Sequence, residues 1–263
     1  MYFRVKEKPE TYKQESAYDY VLRNWSYATA YNAKDGQDIA KYFGVGSENG
    51  NHLEEYKSMG THNYQDDLLG SSHSWNHDLS ISGGTERTKY YATLNYINDK
   101  GSLNNTGFRR WNGNVKLTQD INKKLKWNLD ARYSEMQFKG AKFEYATCSY
   151  NFRPIDTPLG EDDGSLLGLG DSHVSQSFNP VSIYDNYTSI HTRNRMRANN
   201  SLIWTPIKGL TGKTELTLGR NWSEQKTWDG GFEEGYSHAK LKKSDGYHVK
   251  WTSTINYNVQ GLG

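Results

Sequence analysis

The chain has a single cysteine, Cys148, so no intramolecular disulfide forms and a small disulfide-stapled secreted domain is excluded. Long apolar runs are missing as well. No stretch approaches the roughly 18 consecutive apolar residues that mark a transmembrane helix. The opening Met1 to Pro9 has no apolar signal-peptide core. Neither charge sign dominates: 32 basic residues stand against 30 acidic ones. That balance removes the broad cationic surface that nucleic acid requires. Taken alone, these absences describe a soluble cytosolic chain. They lose that meaning if the membrane element is a β-barrel, whose strands alternate and never produce a long apolar run.

Aromatic residues are abundant, with 20 Tyr, 8 Trp and 8 Phe against only 5 Pro. Tyr and Trp in such numbers suit β-strands, a membrane–water interface or a sugar-binding surface. The segment from Leu79 to Tyr96 alternates, runs into Gly83-Gly84, crosses a charged turn and alternates again, which predicts a β-hairpin. The period of two recurs. Leu125, Trp127, Leu129, Ala131 and Tyr133 share one face of an extended chain, while Lys126, Asn128, Asp130, Arg132 and Ser134 share the other. Similar alternation covers Trp111 to Thr118, Arg195 to Trp204 and Val249 to Val259. Each run is about long enough for a tilted strand to cross a bilayer, which takes roughly 9–11 residues. One whole face is Lys, Arg, Asp and Asn, and Trp or Tyr sit near the ends of the other. Such faces match a water-filled lumen and a lipid surface with aromatic girdles. Arg220 dissents, sharing a face with Leu216, Leu218 and Trp222. At the bilayer midplane it would cost roughly 2–4 kcal/mol, so it is expected near the headgroups.

Connection lengths alternate. Short links are predicted at 82–89, 120–124 and 205–209, and longer ones at 98–110, 139–191 and 228–246. Outer-membrane barrels show this parity, with tight periplasmic turns and large extracellular loops. The expected fold is therefore all-β: a partial antiparallel transmembrane β-barrel of about 7–8 strands with long extracellular loops. A short helical excursion is expected near the N-terminus, over Ser16 to Trp25 with Ser16 as N-cap and again over Gly36 to Phe43. Three regions follow: a barrel strand remnant at 1–9, a partly helical extracellular loop region at 10–75 without a core of its own, and a β-barrel segment at 76–263. The alternative is a secreted soluble β-sandwich that binds glycans through surface aromatics; pattern and parity favour the barrel.

The phrase His77-Asp78-Leu79-Ser80-Ile81-Ser82-Gly83-Gly84-Thr85-Glu86-Arg87-Thr88-Lys89-Tyr90-Tyr91 and its continuation Tyr96 to Arg110 resemble the SusC/RagA family of TonB-linked outer-membrane proteins. The likeness is strong over about 77–135 and weaker elsewhere. It implies a roughly 22-stranded barrel with an N-terminal plug, of which this chain is an internal fragment. It also implies a TonB-dependent receptor in the cell outer membrane of a Gram-negative, Bacteroidota-like bacterium, taking up large nutrients such as glycans or peptides. Implied partners are outer-membrane lipid, a SusD-like surface lipoprotein, an oligosaccharide or peptide substrate, and TonB–ExbB–ExbD acting through an N-terminal part that this sequence lacks. The fragment is expected to be inactive alone, because an open sheet in lipid leaves costly unpaired edge groups.

No catalytic constellation emerges, and the chain is not expected to be an enzyme. Gly164 to Gly170 lacks the Lys-Ser/Thr ending of a phosphate cradle. Glu161, Asp162, Asp163 and Asp171 match no EF-hand spacing, and His52, His62, His73 and His77 lack zinc-ligand spacing. No cofactor or metal is expected. The candidate ligand or partner loop is Trp228, Asp229, Phe232, Glu233 and Tyr236, because aromatics beside carboxylates stack sugar rings and hold their hydroxyls.

Overall fold

A computed structural model of the chain describes residues 2–141, 152–155, 180–181, 186–230 and 238–257. Eight strands form one sheet: β1 (Tyr2–Lys6), β2 (Ser72–Gly84), β3 (Thr88–Lys100), β4 (Gly107–Asn122), β5 (Leu125–Gly140), β6 (Tyr187–Trp204), β7 (Leu210–Asp229) and β8 (His238–Tyr257). Strand order equals chain order, every pairing is antiparallel, and the sheet stays open between β1 and β8. A sandwich needs two facing sheets. All eight described strands share a single sheet, which corrects the sandwich alternative.

Register carries the sequence alternation across the whole width. One row runs Ile81, Ala92, Val115, Ala131, Ala198, Leu218 and Val249, each directly opposite the next. The adjacent row places Leu79, Leu94, Gly113, Tyr133 and Met196 in line. Because the side-chain period is two, a one-residue slip anywhere would move a strand's apolar set to the polar face. The hairpin register is set at Gly84, whose φ of 148° leaves no room for a Cβ beside the Thr88 carbonyl. Thr85 N then donates to Thr88 O at 2.6 Å, and Thr85 Oγ1 accepts from the amides of Arg87 and Thr88.

The strands are longer than the alternation suggests: β6 spans 18 residues, and β7 and β8 span 20 each. The described strands run into the predicted loops at 98–110, 139–191 and 228–246, ending at Lys100, Gly140 and Asp229 and resuming at Gly107, Tyr187 and His238. Polar residues such as Lys226, Lys242 and Ser244 mask the extra strand length, because ladder hydrogen bonds keep both chains extended where the apolar signal has faded. The alternation of link lengths survives, with 85–87, 123–124 and 205–209 short.

Between β1 and β2 lie α1 (Ala17–Tyr31), α2 (Ala33–Phe43) and α3 (Tyr64–Leu68), with short 3-10 turns after α2. Ser16 caps α1 by accepting from Asp19 N at 3.1 Å, and Asn32 caps α2 through the amides of Lys34 and Asp35. The expectation that this region lacks its own core is wrong. Val21, Ile39, Phe43, Val45 and Tyr56 are buried together there, whereas every buried hydrophobic residue described lies outside the sheet. Aromatic rings substitute for length: Phe43 meets Tyr20, Tyr42 and Tyr56 edge-on at centroid distances of 6.2, 4.8 and 6.2 Å. Tyr56 Oη donates to Phe43 O at 2.9 Å. Ile155, fully buried, arrives from the long β5–β6 link, and His62 N donates to Pro154 O at 2.8 Å. Each such side chain contributes about 1.5–3 kcal/mol on burial. Outside this core, the hydrogen bond to Glu15 holds the Arg23 guanidinium above its ordinary pKa.

Candidate functional site

The alternation creates two chemically distinct faces, and the polar one is the candidate site. On β2 to β5 it carries a ladder of short polar side chains. Asn95 Nδ2 donates to Asn76 Oδ1 (2.8 Å) and Asp78 Oδ1 (2.6 Å). With the Asn112 amide turned so that its oxygen meets Arg110 Nε at 2.9 Å, its nitrogen donates to Ser134 Oγ at 2.7 Å. Ser74 Oγ bonds Asp99 at the end of the same face nearer the long links. Amides both donate and accept, so this surface matches hydroxyl-rich ligands or ordered water.

Lower on that face, charges pair. Arg132 bonds Asp130 through Nε and Nη2, both at 2.9 Å, with Lys116 3.9 Å away. Lys126 lies 3.3 Å from Asp120, and Lys213 lies 2.7 Å from Glu215, which also accepts from Asn199 Nδ2 at 2.7 Å. On β6 the pattern changes. Arg193, Arg195 and Arg197 stand at alternate positions, all exposed and all on the polar face. Arg195 Nε donates to Asn221 Oδ1 at 3.0 Å, and Arg193 lies over the Phe138 ring at 5.6 Å. Arg197 sits directly opposite Arg132. Among the described residues these three arginines have no carboxylate within ion-pair distance. Sequence reading noted the alternation of β6 but missed the row; arginine at i, i+2 and i+4 of a period-two strand was the available signal.

The opposite face is apolar and uncovered: Leu79, Ile81 and Val249 are 68%, 58% and 68% exposed. Towards the long links it ends in aromatics. Tyr96 and Trp111 meet at 4.2 Å, and Tyr133 and Trp222 at 6.2 Å. Arg220 belongs to this rim. Its guanidinium forks onto Asp245 (3.1 and 2.8 Å) and lies over Trp222 (4.8 Å) and Tyr247 (5.1 Å). Towards the short turns, Trp127, Trp204 and Tyr257 close the belt.

The long connections meet at one end. Leu69 bridges Leu103, Gly70 N donates to Ser102 O at 2.8 Å, and Asn104 Nδ2 donates to Asp67 O at 2.8 Å. Phe152 packs edge-on against Tyr64 at 5.1 Å. Of the predicted ligand loop, Trp228 and Asp229 are the last residues of β7 rather than loop, and they point to opposite faces. Trp228 is half exposed. Phe232, Glu233 and Tyr236 lie outside the described residues, as does Cys148.

No protein-family model matches the chain. TonB-dependent receptor P26 of Formosa agariphila is 29% identical over 114 residues, covering 43% of this chain and 11% of that protein. TonB-dependent receptor SusC of Bacteroides thetaiotaomicron is 32% identical over 78 residues, covering 28% of this chain and 8% of that one. The chain is SusC/RagA-like. Solved structures agree on the fold. The RagAB peptide importer in its "closed-closed" and "open-open" states superposes with TM-scores of 0.65 and 0.66 at 15% identity. Those superpositions cover 97% of this chain and 31% of the importer chain. The open eight-stranded sheet of this SusC/RagA-like chain is thus part of a barrel wall. The chain spans about a tenth of each curated relative and under a third of the solved importer chain. Both curated relatives are named TonB-dependent receptors.

Proposed function

We propose that this chain forms part of the wall and extracellular loops of a TonB-dependent outer-membrane transporter that imports large nutrients, glycans or peptides. The observation that carries the reading is the eight-strand register, which keeps one continuous apolar face against a continuous polar one while short and long links alternate. In this reading the apolar face meets lipid between its aromatic rims and the polar face lines an aqueous lumen. The end gathering the long links is extracellular. The helical region at 10–75 is a loop element there, the strand at 1–9 belongs to the wall, and 76–263 is the barrel segment proper.

A SusD-like lipoprotein caps the long-link end, and the candidate segment of Trp228, Asp229, Phe232, Glu233 and Tyr236 would meet lipoprotein or substrate there. Energy comes from TonB–ExbB–ExbD through a plug outside this chain. Function is energy-coupled passage with no bond chemistry. Among the described residues β1 and β8 each leave an outer edge unpaired, so the chain transports only as part of a closed barrel.

Cysteine labelling tests the reading. In a Cys148→Ser background, cysteines at Asn112 and Arg195 should react with a hydrophilic maleimide in intact outer membranes. Cysteines at Val115 and Leu218 should resist it and react with a lipid-soluble reagent. Equal hydrophilic labelling of both sets would place the apolar face in water and end the proposal.

A further inference from the structure

We infer that the arginine row of β6 is a binding site for acidic oligosaccharides, an inference that rests on the transporter reading and names its substrate class. Alternate strand residues are about 6.5–7 Å apart, so Arg193, Arg195 and Arg197 present a rigid track of guanidinium groups roughly 13 Å long. A guanidinium matches a carboxylate or a sulfate ester with two parallel hydrogen bonds. Several cations of this face already have carboxylates, among them Arg132 with Asp130, Lys126 with Asp120 and Lys213 with Glu215. Among the described residues the β6 row makes no close ion pair, Asp130 reaching Arg197 only at longer range, and Arg132 and Arg197 stand directly opposite, where like charges repel. Three like charges in a row without a close ion pair repel one another, and an anionic ligand relieves that repulsion.

The surroundings favour a saccharide over an acidic peptide. β6 is an interior strand, hydrogen-bonded to β5 on one side and β7 on the other, so no free edge is available to pair with a peptide backbone. Recognition falls to side chains. Beside the row stand Ser134, opposite Arg195, and the Asn112 amide that bonds it, groups that complement sugar hydroxyls. At the end nearer the long links, Phe138 and Phe108, 4.9 Å apart, offer an apolar platform next to Arg193 for the face of a ring.

The test uses intact cells producing the protein and fluorescein-labelled probes: oligogalacturonate, a sulfated galacto-oligosaccharide, a neutral galacto-oligosaccharide of equal length, and oligoglutamate. The expected result is saturable binding of at least one acidic saccharide, at least tenfold tighter than the neutral one and weakening with salt. In the triple variant Arg193→Gln, Arg195→Gln, Arg197→Gln that preference should fall at least tenfold while neutral binding stays unchanged. The conservative triple Lys variant should recover part of it. Preference for neither acidic saccharide, an unchanged preference in the Gln variant, or tighter binding of oligoglutamate would each overturn the inference. Immunoblots of isolated outer membranes separate the two failures: a wild-type protein absent from that membrane sinks the transporter reading itself. A Gln variant missing from the membrane shifts the decision to the Lys variant and the salt dependence.

Discussion

Arginine at Leu94 and arginine at Thr93 differ by one residue and by one face of the sheet, and the structure makes opposite predictions for them. Leu94 lies midway along β3 between Tyr90 and Tyr96, 45% exposed, with Leu79 and Gly113 directly opposite. In a bilayer that exposed surface contacts acyl chains. An arginine there has no acid across from it, unlike Arg220, which forks onto Asp245 within the aromatic rim. The cost near the midplane is about 2–4 kcal/mol. Since about 1.4 kcal/mol is tenfold, the folded population falls roughly 30-fold to 700-fold relative to unfolded protein. Thr93 faces the polar side opposite Ser80 and Asn114, where an added arginine meets water and changes stability by less than about 0.5 kcal/mol. Guanidinium unfolding of the receptor carrying this chain in lipid vesicles, followed by tryptophan fluorescence, measures both. The reasoning is refuted if the two variants unfold at the same denaturant concentration, or if Thr93→Arg is the more damaging.

Two further expectations concern the helical core. Ile155→Ala removes a fully buried aliphatic residue that the β5–β6 link sends into it, and should cost about 2–5 kcal/mol locally. Amide exchange should then speed up in α1 and α2 while β3 to β5 keep their protection; unchanged exchange in α2 would show that the docked segment contributes nothing. Ser16→Ala deletes the α1 N-cap and should cost about 1 kcal/mol, with faster exchange confined to the first turn near Asp19. Ser16→Asp should restore protection.

The two faces, the hairpin at Gly83-Gly84 and the parity of the links are legible along the chain because a strand's side-chain period of two is a local property. The N-cap at Ser16 is legible for the same reason, since it involves only residues three apart. Strand ends were not. Beyond Trp222 the residues of β7 and β8 are mostly polar on both faces, and only cross-strand hydrogen bonding keeps them extended. The core around Phe43 was missed because Ile155 enters it from more than a hundred positions away, and because four aromatic rings with polar edges score as poorly apolar.

The candidate site divides in the same way. The loop chosen on composition ends up partly as strand, with Trp228 and Asp229 on opposite faces. The row of Arg193, Arg195 and Arg197 was visible as letters, but that none of the three makes a close ion pair among the described residues was not. Lys116, Arg132, Lys126 and Lys213 look no different in one dimension, and only the register shows which cation has a carboxylate across from it or beside it. By itself the sequence determined the two faces of every strand and the family likeness, because alternation and short motifs are read residue by residue. Only the tertiary structure decided which strands are neighbours, where the buried core lies and which charges stay unpaired, because those depend on contacts between residues far apart in the chain.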